Sequence, residues 1–230
     1  MLAHSSDMWF GYLSSVIILV CGAGLIIGIL ASAWFLPSSM TTGWAGVDAY
    51  AAAYRANGGL ITSLSFLAAL FSCPAYVLQI ASINRLNGGR SRKVGILGLS
   101  CAVAFAVLAG LNYLVQLTVV RTGILAGQTV GVERLVFQNP NSLTLELDLV
   151  GWFLLSIAFL SVLTSFPGGG LSKAVRYVII VNATVGLAQI GSLALSYLTV
   201  CQVLLSVSSG ALTCLDVLLL VFFRRLLKVI

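Results

Sequence analysis

Apolar runs of 18 residues or more recur along this chain of 230 residues, interrupted by short polar turns. A run of that length matches the hydrocarbon thickness of a bilayer when it is helical. In lipid the backbone must satisfy its own amides and carbonyls, and a long continuous run does so as an α-helix. Hydrophobic residues make up 60% of the chain and charged residues 8%, against about a quarter charged in soluble domains. Such a chain could not cover its surface in water. The runs predict six spans, at about residues 9–36, 57–84, 94–120, 142–166, 177–200 and 202–223. The expected fold is therefore all-α, a polytopic bundle of six transmembrane helices forming one integral membrane domain over residues 1–230.

Residues 1–8 lack a basic n-region, and the run that follows is too long for a signal peptide, so the first span is expected to be retained. Trp9 and Trp34 lie near its ends, roughly 37 Å apart by helical rise, as two interfacial anchors would. Gly24 and Gly28 form a GxxxG motif that permits close helix approach, either within the chain or in a homodimer. Pro37 closes the span. Trp44, Asp48, Tyr50, Tyr54 and Arg55 then predict a short interfacial helix with its aromatics at the headgroups. Pro74 is expected to kink the second span. Asn139-Pro140 has the form of an N-cap followed by proline at the first helical position, which starts the fourth helix near Asn141.

Charge sets the orientation. The turn at 85–93, the turn at 173–176 and the C-terminal tail hold nine of the twelve basic residues. With six spans all three fall on one side, and the positive-inside rule makes that side cytoplasmic, with both termini on it. The net charge of +6 is thus assigned to membrane orientation rather than to nucleic acid. The lipid bilayer is the expected partner.

Polar residues inside the spans are the candidates for chemistry. Gln202, Ser206, Ser209, Thr213 and Asp216 recur in a 4-3-4-3 spacing that stacks them on one helical face. Asp216 is the one acid deep in an apolar span, and it is expected to face protein, with Asn182 or Gln79 as its polar partner. Its own helix offers no cation at i+3 or i+4, where Leu219 and Leu220 stand. Thr62, Ser65, Ser72, Tyr76 and Gln79 form a second seam, interrupted at Ala69. Asn182, Gly186, Gln189 and Ser196 share a face of the fifth span. Gln79, Asn182 and Asp216 lie within about 12 Å of the cytoplasmic interface by helical rise. Together with Tyr76 and Thr213 they form an inner candidate binding cluster. Asn112, Gln116, Arg121, Glu146 and Asp148 form an outer one. In it the two acids either sit at a helix N-terminus, favoured by its dipole, or line a vestibule with Arg121 or Gln116.

Five scattered cysteines without a CxxC and a single histidine, His4, give no basis for a metal site or a haem. The Gly-Gly pair at 88–89 follows no strand and precedes no GK[ST], so it is not a phosphate loop. No nucleophile, base and orienter come together in any motif. The expectation is a non-enzymatic membrane protein with an internal polar cleft and no cofactor, its small-molecule ligand unidentified. The alternatives are a small-solute or proton-coupled transporter, and an accessory or lipid-binding membrane subunit. Inverted repeats would mark the transporter, and the two halves show no convincing self-similarity.

From Asn139-Pro-Asn-Ser through Leu149-Val-Gly-Trp152 and Pro167-Gly-Gly-Gly to Val181-Asn182, the chain resembles a group of uncharacterised bacterial multi-pass membrane proteins. They share its size, an NPxS-type opening, an acidic-apolar helix and a short basic turn. The resemblance covers about the middle fifth of the chain. It implies a prokaryotic plasma membrane and carries over no functional residue.

Overall fold

A computed structural model describes residues 2–35, 44–86, 92–166, 168–195 and 198–228. These residues are mostly helical, the longest stretch without α- or π-helix being the connection at 126–142, with no strand among them. In chain order the helices are α1 (Leu2–Phe35), α2 (Val47–Ala53), α3 (Gly59–Leu86), α4 (Arg92–Val115), α5 (Arg121–Leu125), α6 (Leu143–Ser161), α7 (Leu171–Ala194) and α8 (Leu198–Leu227). Two π-helical segments, Tyr54–Gly58 and Gln116–Val120, join α2 to α3 and α4 to α5. Five stretches are long and apolar enough to cross a membrane: Ser5–Leu25, Gly59–Leu86, Arg92–Leu125, Leu143–Ser165 and Leu171–Leu193. α8 is a sixth long helix, of 30 residues.

Several expected boundaries move. The third run does not stop at 120; it continues through the π turn to Leu125. α3 contains Pro74 and continues past 84 to Leu86. Asn139 does not cap α6. Its carbonyl accepts from the Ser142 amide at 3.0 Å and its side-chain oxygen from the Asn141 amide at 3.0 Å, so Asn-Pro opens a tight turn. Asparagine and proline are the favoured first two residues of a β-turn as well. Ser142 is the cap instead, its hydroxyl accepting from the Leu145 amide at 3.2 Å. Of the short segment expected at the headgroups, residues 38–43 lie outside the described residues, and the helical part is α2 with its π turn.

The chain packs as two compact units: Met1–Leu19, Cys73–Val107 and Leu149–Ile230 form the first, Val20–Ser72 and Leu108–Asp148 the second. In the first, α7 and α8 pack against each other, and Tyr76, Phe105, Trp152 and Phe159 form an aromatic cluster with centroids 5.2–6.3 Å apart. The second is built on Tyr50, Ala51, Tyr54, Val120, Ile124, Val132 and Val136. Tyr50 and Tyr54, expected among headgroups, are thus core residues, only 3% and 4% exposed. Burial pushes the Tyr50 phenol up from its ordinary range, because the charged form is poorly solvated there. Gly24 faces Ala68 of the same chain, with room for van der Waals contact only.

The outward faces are apolar and the inward ones carry the polar groups. On α4, Ile96, Leu97, Val103, Val107 and Leu111 are exposed while Asn112 is buried. α7 repeats the pattern, with Ile180, Val181 and Leu187 outside and Asn182 and Gln189 inside. In water the opposite arrangement is the stable one.

Candidate functional site

The inner cluster lies in the first unit. The heptad-like spacing of α3 brings Tyr76 and Gln79 onto its buried face, along with Ala75 and Ile80. The Tyr76 hydroxyl donates to Asp216 Oδ2 at 3.1 Å, and Gln79 Nε2 donates to Oδ1 at 3.2 Å. The same Gln79 amide nitrogen donates to Ser15 Oγ at 3.0 Å, and Ser15 donates in turn to the Gly11 carbonyl at 2.9 Å. Three helices, α1, α3 and α8, are therefore tied by one polar chain. Asp216 is 1% exposed and Gln79 0%. Asp216 accepts two hydrogen bonds and has no cation partner among the described residues. Gln79 Oε1 is buried without a partner among the described residues.

Asn182 does not join them. Its Nδ2 donates to Ser156 Oγ at 3.0 Å, and its Oδ1 accepts from Ser208 Oγ at 2.9 Å, which links α6, α7 and α8. Gly186 makes that junction possible: a Cβ there would stand 2.8 Å from Ser156 Oγ. So Gln79, one of the two partners expected for Asp216, holds it; Asn182 belongs to a second junction.

Thr213 lies outside both. It is exposed, and its hydroxyl returns to the Ser209 carbonyl of its own helix at 2.9 Å. Ser209 is exposed as well, and the side chains of Gln202 and Ser206 fall outside the described residues. The buried stripe of α8 is Ser208, Leu212, Leu215, Leu219 and Phe223. It repeats the 4-3 spacing one residue earlier than the polar seam, and Asp216 sits at its flank. Ser15, Ser156 and Ser208 were not singled out in the sequence, where serines in apolar helices are too common to signal a junction.

The outer cluster lies in the second unit, and it too divides. Asn112 Nδ2 donates to Asp148 Oδ1 at 3.3 Å, both groups being buried. Gln116 donates to the Leu135 carbonyl at 2.5 Å and accepts from the Phe137 amide at 3.2 Å, which pins the 126–142 connection to the π-helical segment after α4. Glu146 is exposed in the first turn of α6, where the helix dipole favours it. Asp148 is buried, so the dipole account covers Glu146 alone. Arg121 pairs with neither acid among the described residues; it faces a pocket with Arg55.

Two further observations complete the geometry. Asp7, 7% exposed, forms an ion pair with Arg85 at 2.6 Å, joining the start of α1 to the end of α3. Among the described residues no group of three or more His, Cys, Asp or Glu comes together. No protein-family model, curated protein or solved structure matches this chain.

Proposed function

We propose that this chain is a six-span integral membrane protein with both termini in the cytoplasm, whose role is non-enzymatic and whose polar interior fixes helix register. The reading of a bilayer as its surroundings is supported by the apolar outward faces of α4 and α7 and by the five helices of spanning length. α8 supplies the sixth span. A prokaryotic plasma membrane is the setting to which the resemblance over residues 139–182 points.

One observation carries the role: the Asp216 carboxyl is held by two donors from α3, inside a polar chain that continues to α1. An acid so enclosed works as a bolt between helices, and isolated acids in a bilayer are held in that way. This favours an accessory or structural subunit over a carrier. Asp216→Asn tests it. The substituted amide can still accept from Tyr76, and rotation of the Gln79 amide presents its unpartnered Oε1 to the new NH2. The expected result is an unchanged fold and melting temperature, and no proton flux above protein-free vesicles for either form in proteoliposomes under a pH gradient. A flux present in the natural protein and lost in a well-folded Asp216→Asn would replace this reading with a proton carrier.

A further inference from the structure

Outside the polar interior, one pocket brings together two cations from distant parts of the sequence. It measures about 320 Å³ and lies in the second unit, lined by Tyr54, Arg55, Gly59, Leu60, Arg121 and Leu125 among others. Arg55 belongs to the first π-helical segment and Arg121 follows the second. π-helical turns are rare, well under 1% of residues, and concentrate at functional sites. Here the first lines the pocket through Tyr54, Arg55 and Ala56, and the second ends at Val120, immediately before Arg121.

Both side chains are exposed, and neither forms an ion pair among the described residues. Among the described residues Arg55 spends only its Nε–H, on the Ala51 carbonyl at 3.2 Å, which leaves its terminal amino groups for a ligand. That bond also aims the guanidinium past Gly127, where φ is +74° and an added Cβ would stand 4.0 Å from Arg55 Nη1. The other wall is apolar: Leu60 is 72% exposed and Leu125 54%. Two forked cations above exposed leucines match a phosphodiester carrying acyl chains.

We propose that this pocket binds the phosphate of an anionic glycerophospholipid, with Arg55 and Arg121 sharing its oxygens and Leu60 and Leu125 lying along the acyl chains. The proposal rests on the membrane reading above, and on six spans it places the site at the non-cytoplasmic face. Neither the Asp216 junction nor its test bears on it.

Native mass spectrometry of the full-length protein, purified in detergent and exposed to equal amounts of phosphatidylglycerol and phosphatidylcholine, reads the site directly. The natural protein is expected to retain phosphatidylglycerol preferentially. Arg55→Gln and Arg121→Gln are each expected to weaken retention about fivefold, and the pair to abolish the preference. Arg134→Gln, at an exposed position outside the pocket, should leave it intact. Arg55→Lys with Arg121→Lys keeps both charges but loses the forks, and should fall between, which guards against a misfolded glutamine pair. Soluble glycerol phosphate is expected to compete poorly. If it competes as well as the lipid, the ligand is a free phosphate ester and the lipid assignment fails. Equal retention of the two lipids, or full retention by the folded glutamine pair, would overturn the site. A chain extracted from membranes by alkaline carbonate would overturn the membrane reading itself, a different failure from a membrane-bound chain without lipid preference.

Discussion

Tyr76 does two jobs with one side chain. Its ring stands edge-on to Phe105, Trp152 and Phe159, and its hydroxyl donates to the Asp216 carboxylate. Tyr76→Phe keeps the ring contacts and deletes the donor. In membrane interiors such bonds contribute about 0.6–1.7 kcal/mol, and the expected loss in thermal unfolding is of that size. Tyr76→Ala should cost several times more, because it also opens a cavity among three aromatics. Equal losses would mean the hydroxyl is irrelevant and the packing is everything. At this scale the sequence was legible for one class of residue. The amides Gln79, Asn112, Gln116, Asn182 and Gln189 and the acid Asp216 are all buried, as their need for partners in lipid requires. Among the hydroxyls Thr213 misled: like Thr118 and Thr184 it bonds the carbonyl four residues back and stands exposed, because self-satisfaction removes the penalty for facing outward.

The same difference explains which elements were readable. On α3 the polar seam and the buried stripe coincide at Thr62, Ser65, Tyr76 and Gln79, with Ala69 filling the gap. On α8 the seam read from hydroxyls is displaced by one residue from the stripe through Ser208, Leu212 and Leu215. A 4-3 spacing fixes a period, and its phase comes from the neighbour against which the helix packs. The start of α6 shows a related ambiguity, since Asn-Pro serves a turn or a cap equally well and Ser142 takes the cap. Ser142→Ala removes an acceptor from the Leu145 amide and should destabilise the protein by about 1 kcal/mol, whereas Ser142→Gly should cost only a few tenths. Chemical unfolding of the two variants in one detergent checks the order. A smaller loss in alanine than in glycine would remove the cap assignment.

For the whole molecule the open question is which side is which. Lys and Arg bias argues that the turns at 85–93 and 173–176 and the residues from Arg224 onward share the cytoplasmic side. Geometry inside the first unit supports the grouping. Asp7 meets Arg85, and Gly11 lies against the Phe223 ring, closely enough that no Cβ would fit between them. The beginning of α1, the end of α3 and the end of α8 therefore lie at one end of that unit. The proposed six spans require that grouping, since they bring both ends of the chain to one face. The charge bias assigns the connection before α6 to the other side of the membrane, and Val130 within it is 98% exposed. Lys93→Cys and Val130→Cys, each made singly, test the assignment with an impermeant maleimide on intact cells. The natural protein is the blank, its cysteines lying in apolar segments. Val130→Cys should label in intact cells, and Lys93→Cys only after permeabilisation. The reverse pattern would invert the orientation and carry the arginine pocket to the cytoplasmic face with it. Labelling of both in intact cells would require an odd number of crossings between residues 93 and 130 to be abandoned, and the run through Arg92–Leu125 would then no longer count as a span.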